Sequence, residues 1–444
     1  MKGPQSEIAM KFLAFLSFLF LALPAVAQTG LSAEERQIVQ TVDAERERTI
    51  GLLERMVNQN SGSLNLAGVE AVGKMVRSEL EPLGFDVQWV DMRETGRAGH
   101  IVATHKGDGQ GKRVLLIGHL DTVFEPDSSF QAFTRKGDRA VGPGIGDDKG
   151  GVAIIVAALR AMDKAGTLGE ADIKVVLTGD EERTGSPIEV ARRDLIEAGR
   201  WADVALEFEN LARDDAGVEY GTVARRSSTG WTLTTHGRTG HSSGIFREGA
   251  GYGAIYEMAR ILDAFRRELP EPNLTYNVGV MAGGTPASID EQGFRVTASG
   301  KTNIIPETAI ARGDLRSLTR EQDARVRAKM KAIVAQHLPE TSAELEFADH
   351  GYPPMEPAEG NRAILAKLNA VNRDLGLPEM PEYDPARRGA ADSSFVAADV
   401  DVLAGLGVVG GKAHAEGEWV DLESLARQAK RAAILMTRYA GEKR

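Results

Sequence analysis

The chain has 444 residues, 42% hydrophobic and 26% charged, with a formal net charge of −11. That length allows two or three domains with large cores, and the negative charge argues against general binding to nucleic acid or anionic membrane. There is no cysteine, which excludes disulfides, thiolate metal sites and a cysteine nucleophile; any metal must be held by histidine and carboxylates.

At the N-terminus, Lys2 and Lys11 precede the apolar run FLAFLSFLFLAL, and PAVA ends in Ala25-Val26-Ala27. A basic region, a short apolar stretch and small residues at the cleavage point predict a signal peptide over residues 1–27, starting at Met1 or Met10. The apolar run is too short for a stable membrane anchor. The mature chain is therefore expected in the periplasm or secreted.

Ile38, Val42, Ile50, Leu53 and Val57 recur at helical spacing over 34–58, and Val69, Val72, Val76 and Leu80 mark a second amphipathic helix. Strands are predicted at 85–90 and 99–104, then buried strands at 113–118, 173–179 and 203–208 with a buried helix at 150–166. This alternation predicts an α/β catalytic domain with a mostly parallel central sheet. The pattern changes near residue 224. TGWTLTTHG alternates like a half-exposed strand. A helix at 250–268, strands at 273–282 and 304–316, a helix at 319–338 and a strand at 343–348 follow. That order, β-α-β-β-α-β, predicts a smaller α+β domain inserted into the larger one. A helix at 361–376, a strand near 400–409 and a helix from Asp421 to Tyr439 then complete the large domain. The expected division is 28–223 and 351–444 for the catalytic domain and 224–350 for the insert, with YPPMEP at 352–357 as a hinge.

In such sheets ligands gather beyond the C-terminal ends of the strands. There the sequence places His119 and Asp121, Asp180 to Glu182, Glu209 and, after the last strand, His414; Asp147 and Asp148 lie in GPGIGDDKGG before a helix. Any one of these is also an ordinary strand end or acidic turn. Their coincidence on five segments points to a metal site. His119 and Asp121, two apart in extended chain, point the same way, so one can bind a metal while the other orients it. Glu181 and Glu182 point apart, which allows two jobs. GPGIGDDKGG lacks the third glycine of a dinucleotide loop, and Asp147 would repel a pyrophosphate; its glycines fit a tight turn that brings Asp147 close to a cation.

The motifs HLDTV, GPGIGDDKGG, GDEERTGS, FEN and AHAEGEWV, in this order, resemble the five metal-site motifs of the di-zinc amidohydrolases. That family includes glutamate carboxypeptidase, aminoacylase, acetylornithine deacetylase and succinyl-diaminopimelate desuccinylase. The resemblance covers residues from about 35 to 444 and is nearest the glutamate carboxypeptidase branch. It implies two Zn2+ per subunit, with Co2+ or Mn2+ as substitutes. His119 and Glu209 would hold one metal, Glu182 and His414 the other, and Asp147 both. It also implies that Asp121 supports His119, that Glu181 is the general base and acid for a metal-activated water, and that the Asp147–Asp148 peptide is cis. A set of five oxygen and nitrogen ligands suits these metals, and two ions about 3.5–4 Å apart suit amide hydrolysis.

In the insert, the family's dimerisation or lid domain, the resemblance implies that His241 reaches the partner's active site in a homodimer. Asn303 and Arg316 would bind the substrate carboxylate, and Asp392 matches a motif near the pocket, although GAADSS lacks that motif's usual glycines. His100, His105, His236, His337 and His350 have no motif support and are read as structural or surface residues. Where glutamate-preferring relatives carry an extra arginine this chain has HGYPPM, with Tyr352 near the expected place, and EQG at 291–293 suggests an added hairpin. Both put strict glutamate preference in question. The expected activity is hydrolysis of peptidyl or N-acyl amino acids with a free carboxylate. The alternatives are a dipeptidase or aminopeptidase of the same family and, more remotely, a non-catalytic periplasmic binding protein, which the complete ligand set disfavours.

Overall fold

The computed structural model describes residues 30–444 except 291, 292 and 294. The expected signal peptide lies outside the described residues, as do Glu291 and Gln292 of the EQG turn. Among the described residues no helix is long and apolar enough to cross a membrane.

Ser32 opens the first helix with a reciprocal cap: its hydroxyl accepts from the Glu35 amide at 3.1 Å, and the Glu35 carboxylate accepts from the Ser32 amide at 2.8 Å. The helix expected over 34–58 is two helices, Ala33–Ala44 and Arg46–Asn58, because Glu45 leaves helical geometry at ψ 10°. The break lets the second helix bury Ile50, Leu53, Met56 and Val57 in the main core.

The central sheet has six strands. Their spatial order is Asp86–Asp91, Gly99–His105, Ile173–Thr178, Val114–His119, Val204–Glu207 and Val402–Leu403. Only Gly99–His105 runs against the others, so the sheet is mixed with a parallel majority. Val114 and Leu116 pack into one core, and Leu115 and Ile117 into a second core on the opposite face. Each such fully buried aliphatic side chain stabilises the fold by about 1.5–3 kcal/mol. A one-residue slip would exchange the faces, so this packing also fixes where His119 emerges. The helix Gly151–Ala165 is buried continuously from Gly151 to Met162, as its near-continuous apolar sequence requires.

The strand expected near 400–409 reaches the sheet only at Val402–Leu403. Gly407 explains the early end: a Cβ there would lie 2.1 Å from the Phe208 carbonyl oxygen, so the chain turns across the neighbouring strand end. Gly410–Gly411 instead joins a second sheet, with Trp419–Asp421, Arg139–Val141 and Thr134–Lys136. That small sheet was not visible in the pattern. It pairs Val141 with Trp419 and Ala140 with Val420, and so ties the 142–148 loop to the 412–418 loop.

Residues 229–347 build a separate four-stranded antiparallel sheet in the order Thr275–Gly284, Thr308–Arg316, Thr229–Gly237 and Thr341–Phe347. The helices Ala254–Glu268 and Arg320–Val334 share its core, which includes Trp231, Leu233, Met258, Ile261, Phe265, Ala311, Leu315 and Met330. Ala287–Ile289 and Val296–Ala298 form an antiparallel pair around the EQG segment.

Candidate metal centre

The strand ends converge. His119, at the end of its strand, is 1% exposed. Its Nε2 lies 3.1 Å from Asp147 Oδ1, while Nδ1 faces the backbone oxygen of Asp121 at 3.2 Å and its carboxylate at 3.3 Å. A proton on Nδ1 satisfies both Asp121 oxygens and leaves the Nε2 lone pair for a cation. Asp121 is fully buried and does more than orient His119. Its carboxylate accepts from Ser63 Oγ at 2.5 Å, from the Glu181 amide at 3.0 Å and from the Glu182 amide at 3.2 Å. One carboxylate thus positions both the histidine and the loop carrying the two glutamates.

Asp147 sits in the middle. Its second oxygen lies 3.2 Å from His414 Nε2, which is also 3.0 Å from Glu182 Oε2. Ligand atoms of His119, Asp147 and Glu209 all lie within 4.8 Å of one another, as do those of Asp147, Glu182 and His414. The two sets share Asp147 alone. Gly144, at φ 65°, makes the turn before it, and the Asp147–Asp148 peptide is cis. Asp148 points the other way and accepts from the His119 amide at 3.2 Å. His414 adopts a left-handed backbone with φ 63° on its turn, a conformation that costs energy for a non-glycine residue and is frequent at functional sites.

The electrostatics call for cations. Burial pushes the Glu181 carboxyl well above the usual range, and the nearby Glu209 charge adds to this. Burial likewise raises Glu209 to about 7, against the attraction of Arg225. Burial opposes the charge on Asp147 too, but hydrogen bonds from His119 and His414 outweigh it and hold this carboxyl low. Bonds to Asp147 and Glu182 raise His414 to about 10. Among the described residues, Glu182 Oε1 and Asp148 Oδ1 are buried with no hydrogen-bond partner. An orphaned carboxylate oxygen inside a shared triad of oxygen and nitrogen donors fits a divalent metal pair.

Glu418, in AHAEGEWV, is a positioning group. It is 1% exposed. Its oxygens accept from the amides of Gly144 at 2.9 Å, Gly146 at 2.8 Å and Asp147 at 3.0 Å. The carboxylate therefore shapes the glycine turn from the His414 side. An acidic residue just before a short strand was the available signal, but its partner strand, Arg139–Val141, is distant in sequence.

The remaining candidates lie elsewhere. His241 is exposed, and its Nδ1 faces Ser243 Oγ at 2.8 Å. Gly240–His241 pairs with Ile304–Ile305, and the Asn303 carbonyl accepts from the Ser242 amide at 2.9 Å, so His241 and Asn303 are neighbours. Arg316 pairs with Asp314 at 2.9 Å. Among the described residues, none of these three side chains makes a hydrogen bond or ion pair to the five clustered ligands. Asp392 is buried beside the cluster, bonded to Arg192 at 2.8 Å and Thr178 at 2.5 Å. Tyr352 points inward, and its hydroxyl donates to the Glu181 carbonyl at 2.8 Å. His100 is a buried structural residue, with Nε2 2.9 Å from the Ala191 carbonyl.

Known proteins resemble this chain in family and in fold. Residues 115–438 match the model of peptidase family M20/M25/M40. The chain is 29% identical over 424 residues to carboxypeptidase G2 of Pseudomonas sp. (strain RS-16), covering 94% of this chain and 95% of that one. It is 28% identical over 330 residues to a succinyl-diaminopimelate desuccinylase of Gluconobacter oxydans (strain 621H), covering 71% and 79%. Similar solved folds include aminopeptidase PepT from Bacillus cereus (TM-score 0.70, 21% identity, 89% and 99% covered). Another is the Bacillus subtilis YXEP protein, described as a dinuclear metal binding peptidase (TM-score 0.62, 17% identity, 89% and 98% covered). The chain belongs to peptidase family M20/M25/M40 and is a hydrolase of peptide or other amide bonds.

Proposed function

We propose that the protein is a secreted di-zinc exopeptidase of the glutamate carboxypeptidase type, acting as a homodimer on peptidyl or N-acyl amino acids with a free carboxylate. The observation that carries this reading is the pair of histidine–carboxylate triads sharing Asp147, with Glu181 beside them on the loop that Asp121 holds. The near full-length similarity to carboxypeptidase G2 supports the substrate class.

A bound metal pair supplies the Lewis acid, lowering the pKa of water and drawing charge from the scissile carbonyl. The chain's own residues do the rest. Glu181 takes the proton from the attacking water and passes it to the leaving amine; burial, which raises its carboxyl, suits it to return that proton. Asp121 holds the backbone of Glu181 and Glu182 in place during the exchange. Arg316 offers a planar fork to the substrate carboxylate in place of Asp314, and Asn303, which neighbours His241, is read as a further contact to that carboxylate. His241 of one subunit stabilises the oxyanion in the other, which accounts for its distance from the cluster in its own chain.

A dipeptidase or aminopeptidase activity is the second reading, favoured by the fold likeness to PepT and by Tyr352 standing where an extra arginine was expected. A panel of N-acyl amino acids against unblocked dipeptides, with zinc-loaded mature protein, separates the two. Turnover of unblocked dipeptides alone would reverse the assignment.

A further inference from the structure

Two segments join the small sheet to the large one, residues 225–228 outward and 352–355 on the return. They pair as a short antiparallel ribbon. Arg225 and Met355 exchange backbone bonds of 2.9 and 3.0 Å, and Ser228 and Tyr352 exchange bonds of 3.0 and 2.8 Å. Each segment sends one side chain into the metal centre. From the outward segment, Arg225, 1% exposed, bonds Glu209 Oε2 at 2.8 Å, pairs with Glu207 and donates to the Gly389 carbonyl at 3.0 Å. From the return segment, the Tyr352 hydroxyl donates to the Glu181 carbonyl at 2.8 Å.

Tyr352 is itself braced. Its ring packs against Phe395 with centroids 5.0 Å apart, and its hydroxyl lies 3.2 Å from Arg192 Nη2 and from Thr184 Oγ1. Arg192 is fully buried and pairs with Asp180 at 2.6 Å and Asp392 at 2.8 Å. The glutamate loop is thus held from two sides: Asp121 takes its amides, and Tyr352 takes a carbonyl.

We propose that this ribbon couples the position of the small domain to the catalytic centre, with Tyr352 a positioning residue for Glu181 and Arg225 one for Glu209. The proposal rests on the reading of Glu181 as the base. If the ribbon shifts, both the base and a metal ligand shift with it, because the connecting bonds are short and the groups are buried. A displacement of the order of 1 Å at a reacting group is enough to cost a large factor in rate.

Tyr352→Phe removes one hydroxyl and keeps the ring against Phe395. The expected result is a fall in kcat of about tenfold, with KM within twofold, metal content and thermal midpoint as in the parent, and faster amide hydrogen exchange at residues 181–185. Unchanged kcat and exchange would overturn the proposal. So would a fall in kcat that merely tracks lost metal or a lowered midpoint, which is a structural role. For Arg225, Arg225→Lys keeps the charge but not the fork; it should weaken retention of one metal in a chelator titration, and unaltered retention would remove Arg225 from the scheme. Full activity in Glu181→Gln would sink the base assignment instead, while leaving the Tyr352 effect on exchange in place.

Discussion

The rim of the large sheet and the edge of the small sheet carry the same kinds of candidate residue, yet they behave differently. On the large sheet, His119, Asp147 and Glu209 come within ligand distance of one another, and so do Asp147, Glu182 and His414. On the small sheet, His241, Asn303 and Arg316 stay with local partners. The first group hangs from strand ends and loops of one sheet, packed on both faces, so packing brings its members together. The second group stands on a core of its own, and its relation to the metal centre passes through the two-stranded ribbon. Convergence within one sheet is fixed by burial; convergence between two sheets needs the connecting segments or a second subunit.

The largest effect expected lies on the large sheet. Glu181→Gln should lower kcat by about 10³–10⁴ while metal analysis still finds two ions. Glu182→Gln should instead lose one ion and, with it, the stabilisation that a bound metal adds to the folded state, read as a lower thermal midpoint. Metal loss in Glu181→Gln alone would show that the two roles are exchanged.

The next test concerns the small sheet. His241→Ala should lower kcat by about 10²-fold with both metals retained. Co-refolding His241→Ala with Glu181→Gln should recover activity that neither variant has alone, because a mixed dimer holds one complete site. If the mixture stays inactive, His241 does not serve a partner, and the contrast between the regions loses that explanation.

The smallest effect is expected at Glu418. Glu418→Gln keeps the shape but replaces one charged acceptor oxygen by a donor among three backbone amides. The expected loss is about 1–3 kcal/mol, measured by denaturant unfolding of the metal-free protein, with weaker metal retention. An unchanged midpoint would mean that the small sheet alone holds the glycine turn.

Much of this was legible in the chain. The alternation of apolar runs and helices marked most elements, because burial on both faces of a sheet demands uniform apolar strands. The five clustered residues were legible as candidates because each follows a strand or opens a helix with polar residues where the apolar run stops. The break at Glu45 was not, since helical periodicity continues on both sides of it. Nor was the tie between Trp419 and Val141, which links segments far apart in sequence through three-residue strands too short to show a pattern. Tyr352 was marked by its place, as a substitute for an arginine, but its contact with the Glu181 carbonyl depends on how the return segment enters the large domain.

By itself the sequence determined the class of chemistry. Without cysteine, and with histidines and carboxylates at strand ends, the chain can only offer a metal oxygen and nitrogen donors. It also raised the expectation that Glu181 and Glu182 do different jobs; the strand itself ends at Thr178, before both of them. Only the tertiary structure brought these groups within reach of one another in two sets that share Asp147, because that depends on the parallel neighbours of the His119 strand and on the Asp147 turn held by Glu418. It also decided that the base loop is tied to the hinge, since a backbone carbonyl carries no sequence signature and finds its partner only when the chain returns.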